Sequence, residues 1–377
     1  LKGDIKTSQN SFLTPPIVSE EIPHTLYSRN LWIKTGNYVW SATGCSLDSI
    51  YNEKKKIEKA EIQAGILYFC LNRTNFKLNM EVKSTVFVPY IDELFEMIIF
   101  SVKNNSKTKP ITFSAYFSLP LYGRSADNIR DHRQVTTLLN RFITSRYGVL
   151  MKPTMVFDER GHLPNNTIYS ITGTTGEGKP PAQKRVVMED YIGKGGNLFC
   201  PEWVFNEKIK PSSTIDGKEA VCALKFPTVR LNPCETKDFI IIAGISNSPN
   251  TPIKWVKKYS QSKQAWQMFE ETKKSWKALL EKIEFETNNT LFDNWAKWVS
   301  LQPFARKVFG CSFLPDFGYG RGGRGWRDLW QDCLSLLLTA PEETKDILIN
   351  NFAFRRFNFF YNCRFYIISI VCYHIDS

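Results

Sequence analysis

Ile111-Thr-Phe-Ser-Ala-Tyr-Phe-Ser-Leu119 sets the fold class of this chain. Ile111, Phe113, Ala115, Phe117 and Leu119 alternate with Thr112, Ser114, Tyr116 and Ser118. Successive side chains of a strand point to opposite faces, so period two predicts a half-buried strand with its apolar set on one side. Upstream, Leu94 to Val102 is a nearly continuous apolar run, as for a strand covered on both faces. Asn104-Asn105-Ser106 and Pro110 break the two apart, and this spacing predicts a hairpin-like antiparallel pair.

Outward from this pair, Val82, Val86 and Val88, ending at Pro89, predict a further strand. Ala220 to Val229 and Phe239 to Ile245 flank Asn232-Pro233, again strand, turn, strand. Residues 120–215 are richer in glycine, proline and charge and read as long loops with interspersed strands. Many strands and few helices predict a large antiparallel sandwich. Near residue 261 the period changes: Trp266, Phe269, Trp276, Leu279, Leu280 and Ile283 recur at helical spacing with Lys and Glu between them. A second amphipathic helix carries Leu291, Trp295, Trp298 and Val299 on one face, with Pro303 bending or ending it. Strands followed by helices mark a domain change near residue 255.

Composition narrows the function classes. Among 377 residues are 27 Phe, 15 Tyr and 10 Trp, enough aromatic area for a large core. The net charge of +12 is diffuse, and its densest run, Lys54-Lys55-Lys56, lies between Glu53 and Glu58 as a solvated segment. This pattern argues against nucleic acid as a partner. The nine cysteines form no Cys-x-x-Cys pair and only four histidines are present, so neither a disulfide framework nor a metal site is expected. Reduced, mostly buried thiols suit a cytoplasmic protein. The longest late apolar run, Tyr366 to Tyr373, is far shorter than the ~20 residues of a membrane span, so no membrane partner is expected. The chain begins Leu-Lys-Gly-Asp without methionine or an apolar signal stretch, which reads as a trimmed or internal start.

The stretch with chemical content is Gly318-Tyr-Gly-Arg-Gly-Gly-Arg-Gly-Trp-Arg-Asp-Leu-Trp-Gln-Asp332, running into Cys333-Leu-Ser-Leu-Leu-Leu338. Glycines allow tight turns and close backbone approach, and acidic residues at a helix start complement its dipole. Asp328 and Asp332 are spaced i, i+4 and share a helix face. Beside Arg327, such carboxylates provide the donors and acceptors that sugar hydroxyls require. Gly318, Gly320 and Gly323 also satisfy the dinucleotide fingerprint, but no buried strand precedes them. Arg321-Gly-Gly-Arg-Gly resembles a single copy of an RNA-binding repeat. An exposed turn followed by a capped helix accounts for the same string without any ligand.

The string GYGRGGRGWRDLWQD followed by CLSLLL resembles the first catalytic-barrel motif of glycoside hydrolase family 94, the inverting phosphorylases of β-linked glucosides. Phe292-Asp-Asn-Trp-Ala-Lys-Trp298 is similar to that family's linker and first barrel helix and residues 80–120 to its sandwich, and Glu343 to Phe352 also suits the family. The double Arg-Gly form is most similar to the 1,2-β-oligoglucan phosphorylase branch. The resemblance implies a β-rich N-terminal supersandwich (1–255), a helical linker (256–300) and the start of an (α/α)6 barrel (301–353). It implies that Arg327 and Asp332 hold the sugar beside the cleaved bond, supported by Asp328, Gln331 and Trp326. It further implies oligosaccharide and inorganic phosphate as substrates, no cofactor, and a homodimer for the full-length enzyme. A carbohydrate-binding sandwich without catalysis, or a glycoside hydrolase, would carry the same sandwich.

In that family a carboxylic acid protonates the glycosidic oxygen while phosphate attacks the anomeric carbon from the opposite face. The acid lies in a downstream Trp-Asn-Asp-type motif that these residues do not contain, so no catalytic residue is assigned in this chain. After Ala353 the sequence departs from the family. Phe354-Arg-Arg-Phe-Asn-Phe-Phe-Tyr-Asn-Cys-Arg-Phe-Tyr366 opens an aberrant tail (354–377), for which a frameshift or premature stop is the expectation.

Overall fold

The computed structural model describes residues 4–6, 11–16, 29–46, 49, 57–124, 133–143, 145–158, 161–309, 333–334, 336–337, 339–352 and 368–370. The Lys54–Lys56 run and nearly all of the tail lie outside them.

Two antiparallel sheets face each other. The wide sheet has eight strands: β4 (Glu58–Gly65), β5 (Tyr68–Asn75), β6 (Met80–Phe87), β7 (Phe95–Asn104), β9 (Phe142–Ile143), β10 (Gly148–Met151), β13 (Ile168–Thr175) and β17 (Thr236–Ser246). Their spatial order is β4-β5-β6-β7-β17-β13-β10-β9. The smaller sheet has six: β2 (Asn30–Thr35), β3 (Tyr38–Ser41), β8 (Ile111–Leu121), β14 (Gln183–Val187), β15 (Ala220–Lys225) and β16 (Val229–Leu231). They run β14-β15-β8-β2-β3, with β16 also on β8. Apart from these, β1 (Asp4–Lys6) pairs with β18 (Ile368–Ile370), and β11 (Met155–Asp158) with β12 (Gly161–Pro164).

The core between the sheets follows from strand alternation. Ile98, Phe100 and Val102 of β7 face Phe113, Ala115 and Phe117 of β8 within one buried cluster, and the Phe100 and Phe117 rings lie 5.9 Å apart. The run Leu94 to Val102 is covered on both faces as expected, because Phe95, Met97 and Ile99 meet the helices outside. The expected β7–β8 hairpin does not form. β7 pairs with β6 and β17, and β8 with β2, β15 and β16, so the connection crosses from one sheet to the other. Facing apolar sides pack across the sandwich where a hairpin would place them side by side. Asn104 holds this corner: its amide donates to the carbonyls of Lys109, Leu231 and Asn232, and its oxygen accepts from Ser106 N–H. The pair β15 and β17 is likewise divided between the sheets.

β8 is more deeply covered than its alternation predicts. Tyr116 and Ser118 are buried on the outer side, beneath a segment carrying α2 (Met188–Ile192) and α3 (Glu202–Phe205). A short helix, α1 (Arg133–Thr137), precedes β9.

Helices cover the outer face of the wide sheet. α4 (Asn250–Tyr259) and α5 (Ser262–Leu280) bury Trp255, Tyr259, Ala265, Met268 and Phe269 against Phe87, Phe95, Met97, Ile99, Ile240 and Ile242. Full burial of such side chains contributes about 1.5–3 kcal/mol each. Gly244 permits the close approach, since a β-carbon there would collide with the Trp255 ring. The turn Ile66-Leu67 between β4 and β5, with Leu67 left-handed at φ 56°, packs beside Tyr90 against Trp276, Leu280 and Leu301. The Tyr90 and Trp276 rings meet edge to face at 4.8 Å.

α4 spans residue 255, and α6 (Thr290–Phe309) spans residues 300 and 301. The helix of α6 continues through Pro303. Buried Leu301 and part-buried Phe304, packed in separate clusters, hold it on either side of the proline, while Ser300 Oγ donates to Ala296 C=O. Tertiary packing overrides the local cost of proline, about 3 kcal/mol. A last helix, α7, covers Pro341–Phe352. No described helix is long and apolar enough to cross a membrane.

Candidate functional site

Trp326, Arg327, Asp328, Gln331 and Asp332 all lie outside the described residues. Their described neighbours converge: Cys333, Leu336 and Ile347 form a small apolar cluster against which Phe304 and Leu348 pack. The helix before the glycine-rich string and the residues after it thus meet in one contact. On α6 the apolar stripe predicted by periodicity stays exposed, with Leu291 at 83%, Trp295 at 57% and Trp298 at 48%. Phe285, Phe292 and Trp295 stack in sequence, with centroids 6.5 and 5.6 Å apart.

Within the sandwich, the densest polar centre sits on the outer face of the smaller sheet, around Glu207. Lys34 of β2, Tyr116 of β8 and Lys225 of β15 stand on adjacent strands with side chains on one face. Glu207 Oε1 accepts from the Tyr116 hydroxyl and, at 3.3 Å, from Lys34 Nζ, while Oε2 accepts from Lys225 Nζ. Lys34 Nζ also donates to Val204 C=O at 2.9 Å. Around this centre Trp32, Tyr191 and Trp203 are buried, Trp32 Nε1 donates to the Tyr191 hydroxyl at 3.1 Å, and Arg185 stacks over Trp203 at 4.6 Å.

Electrostatics define what this centre can do. Burial raises the Glu207 carboxyl, but hydrogen bonds from Lys225, Tyr116 and Lys34 outweigh it and hold the group at about 2. Burial, together with the bond to Glu207, pushes the Tyr116 phenol upward. Glu207 is therefore ionised at neutral pH and engaged by three donors. It fastens the 197–210 segment to the sheet and cannot serve as a proton donor. Asp190 similarly accepts from Ser212 N–H and Oγ at 2.7 and 2.6 Å. No motif marks Glu207 in the sequence. The only hint is aromatic density in Glu202-Trp-Val-Phe-Asn-Glu207.

A second polar centre joins the sheets. Arg29, just before β2, donates through Nε and Nη2 to both oxygens of Glu96 on β7, at 2.6 and 2.8 Å, with side chains 1% and 0% exposed. Beside it Asn30 Oδ1 accepts from Ser41 and Thr43 hydroxyls at 2.8 and 2.6 Å. Among the described residues no cluster of His, Cys, Asp and Glu could hold a metal. Cys45, Cys70, Cys222 and Cys333 are buried free thiols, and Cys200 and Cys234 exposed ones.

A family model described as Glycosyl hydrolase 94, supersandwich domain, matches residues 17–262. No curated protein matches the chain. Similar solved structures include a bacterial glucoamylase complexed with acarbose, at 8% identity and TM-score 0.38, covering 89% of this chain and 36% of that one. A protein described as a kojibiose phosphorylase, from the human microbiome, is 8% identical with TM-score 0.30, covering 83% and 32%. A polysaccharide lyase is 8% identical with TM-score 0.31, covering 63% and 29%. The chain spans about a third of the length of these structures, at 36%, 32% and 29%.

Proposed function

The chain belongs to the glycosyl hydrolase 94 family, and from that premise we propose that it is the sandwich, linker and first barrel helices of an inverting glycoside phosphorylase. The reaction is transfer of a glucosyl-type unit from a β-linked oligosaccharide to inorganic phosphate, with no other cofactor. The match over residues 17–262 carries this reading, and the Arg327-Asp-Leu-Trp-Gln-Asp332 string supports it. Arg327 and Asp332 hold the sugar next to the cleaved bond, with Asp328, Gln331 and Trp326 beside them. Glu207 is held ionised by its three donors and is not a candidate for the acid. Free thiols suit a reducing, cytoplasmic location.

The test compares this chain with a version extended by a family-type downstream barrel, each given β-linked glucooligosaccharides with and without phosphate. The extended protein releases sugar 1-phosphate only with phosphate, and this chain alone releases none. In the extended protein, Arg327→Ala and Asp332→Asn each lower kcat/KM by roughly a hundredfold, as expected for lost charged hydrogen bonds to the reacting sugar. Free sugar released without phosphate would establish a hydrolase instead. Binding without turnover by the extended protein would establish a carbohydrate-binding module.

A further inference from the structure

The smaller sheet carries a buried cation that no carboxylate grips. Arg185 stands on β14, at one end of that sheet, and is 7% exposed. The pairing of β14 with β15 shifts register between Arg185 and Val187, and such irregularities re-aim the side chains beside them. Arg185 Nη1 donates to Lys184 C=O at 3.0 Å and Nη2 to Ile209 C=O at 2.6 Å, so among the described residues its partners are carbonyls. Arg185 Nε is buried with no acceptor. Asp190 attracts the guanidinium through space, but both Asp190 oxygens accept from Ser212.

The guanidinium lies 4.6 Å over the Trp203 ring. Trp203 is 0% exposed, and its Nε1 is likewise buried with no acceptor. Two stacked side chains thus each hide an N–H that the fold leaves unmatched. Native folds seldom leave one such donor unpaired, and two beside a buried positive charge mark the place of an acceptor that carries negative charge. Trp203 packs with Trp32, Tyr116 and Tyr191, and in such apolar surroundings a charge-assisted hydrogen bond is strengthened. Towards solvent, Ile209 lies between Lys208 and Lys210, both exposed. Glu207, next in the chain, is engaged by Lys34, Lys225 and Tyr116, so its charge is met locally.

We propose that Arg185 Nε and Trp203 Nε1 hold a small oxyanion of the phosphate type on the outer side of the smaller sheet, with Lys208 and Lys210 drawing it in. An oxyanion accepts from both donors and meets the charge at once. A water accepts from both but leaves the charge without a counterpart. The assignment rests on the sandwich alone and is independent of the phosphorylase reading.

The test compares the full chain in chloride and in inorganic phosphate at equal ionic strength, with glucose 1-phosphate as a further arm. Phosphate at about twenty times a Kd of about 1 mM raises Tm by roughly 3–7 °C over chloride. In nitrogen-labelled tryptophan NMR, the indole signal that is absent from Trp203→Phe moves with phosphate in the wild type. Trp203→Phe keeps a ring and loses one donor, so it weakens phosphate binding roughly tenfold. Arg185→Gln removes the charge and abolishes the Tm shift. The double variant Lys208→Gln/Lys210→Gln changes only exposed side chains, keeps the fold and weakens binding roughly two- to fivefold. Phosphate acting more strongly than glucose 1-phosphate assigns the free ion and the reverse order a phosphate ester, and either supports the site. A chain whose Tm and Trp203 signal are the same in phosphate and in chloride holds water there, and the proposal is overturned. A phosphate response that survives both Trp203→Phe and the double lysine variant overturns it equally.

Discussion

Replacing Arg29 with methionine leaves the Glu96 carboxylate, 0% exposed, without the guanidinium that now engages both its oxygens. Taking a charge out of water is tolerable only with such a partner, and stranding it costs about 3–5 kcal/mol. For a domain of this size each kcal/mol lowers Tm by about 2–4 °C, which gives a drop of about 6–20 °C. The double variant Arg29→Met/Glu96→Leu removes both charges and keeps apolar volume, so it returns to within about 1 kcal/mol of wild type or exceeds it. Urea unfolding followed by tryptophan fluorescence measures each difference, with the slope unchanged and only the midpoint moving. A single variant within about 1 kcal/mol of wild type would refute the reasoning, as would a double variant no more stable than the single.

Glu207 is held at about 2 against an ordinary 4.5, so its contribution to stability is complete above the ordinary value and fades as pH falls towards 2. Glu207→Gln flattens the acid limb over that window and speeds proteolysis of the 197–210 segment; an unchanged acid limb would count against the three-donor arrangement. Asn104→Ala removes three donations and one acceptance at the inter-sheet corner and lowers stability by about 1–3 kcal/mol in chemical denaturation. Exposed Trp295 and Trp298 give the chain affinity for hydrophobic dyes. Their joint replacement by glutamine lowers dye fluorescence while shifting stability by less than about 0.5 kcal/mol.

Strand existence was legible because alternation is local. Ile111 to Leu119 announces one apolar face, and Phe113, Ala115 and Phe117 do line the core. Which strand lies beside it is a long-range matter that the pattern leaves open. A six-residue break after Asn104 suits a hairpin and a sheet-to-sheet crossover equally, and the apolar set facing Phe100 selects the crossover. Covering of Tyr116 was invisible for the same reason, since its partner Trp203, at 5.4 Å, comes from the short helix α3, far along the chain. Glu207 was missed because its three donors are 173, 91 and 18 residues away. α6 was legible as a helix from Leu291, Trp295 and Trp298, whereas its passage through Pro303 depends on contacts at Leu301 and Phe304. The string from Trp326 to Asp332 lies outside the described residues, and its reading rests on its residue types and on family likeness.

A leucine keeps a left-handed backbone only under outside restraint, at a cost of about 1–3 kcal/mol. At Leu67 that restraint is the grip of Trp276, Leu280 and Leu301 on the hairpin tip. The tip therefore works as a latch between two bodies of structure. Were the helices to swing away, the bend would lose its reason to persist and the marginal hairpin would loosen with them, while the strands at the centre of the sheet stayed in place.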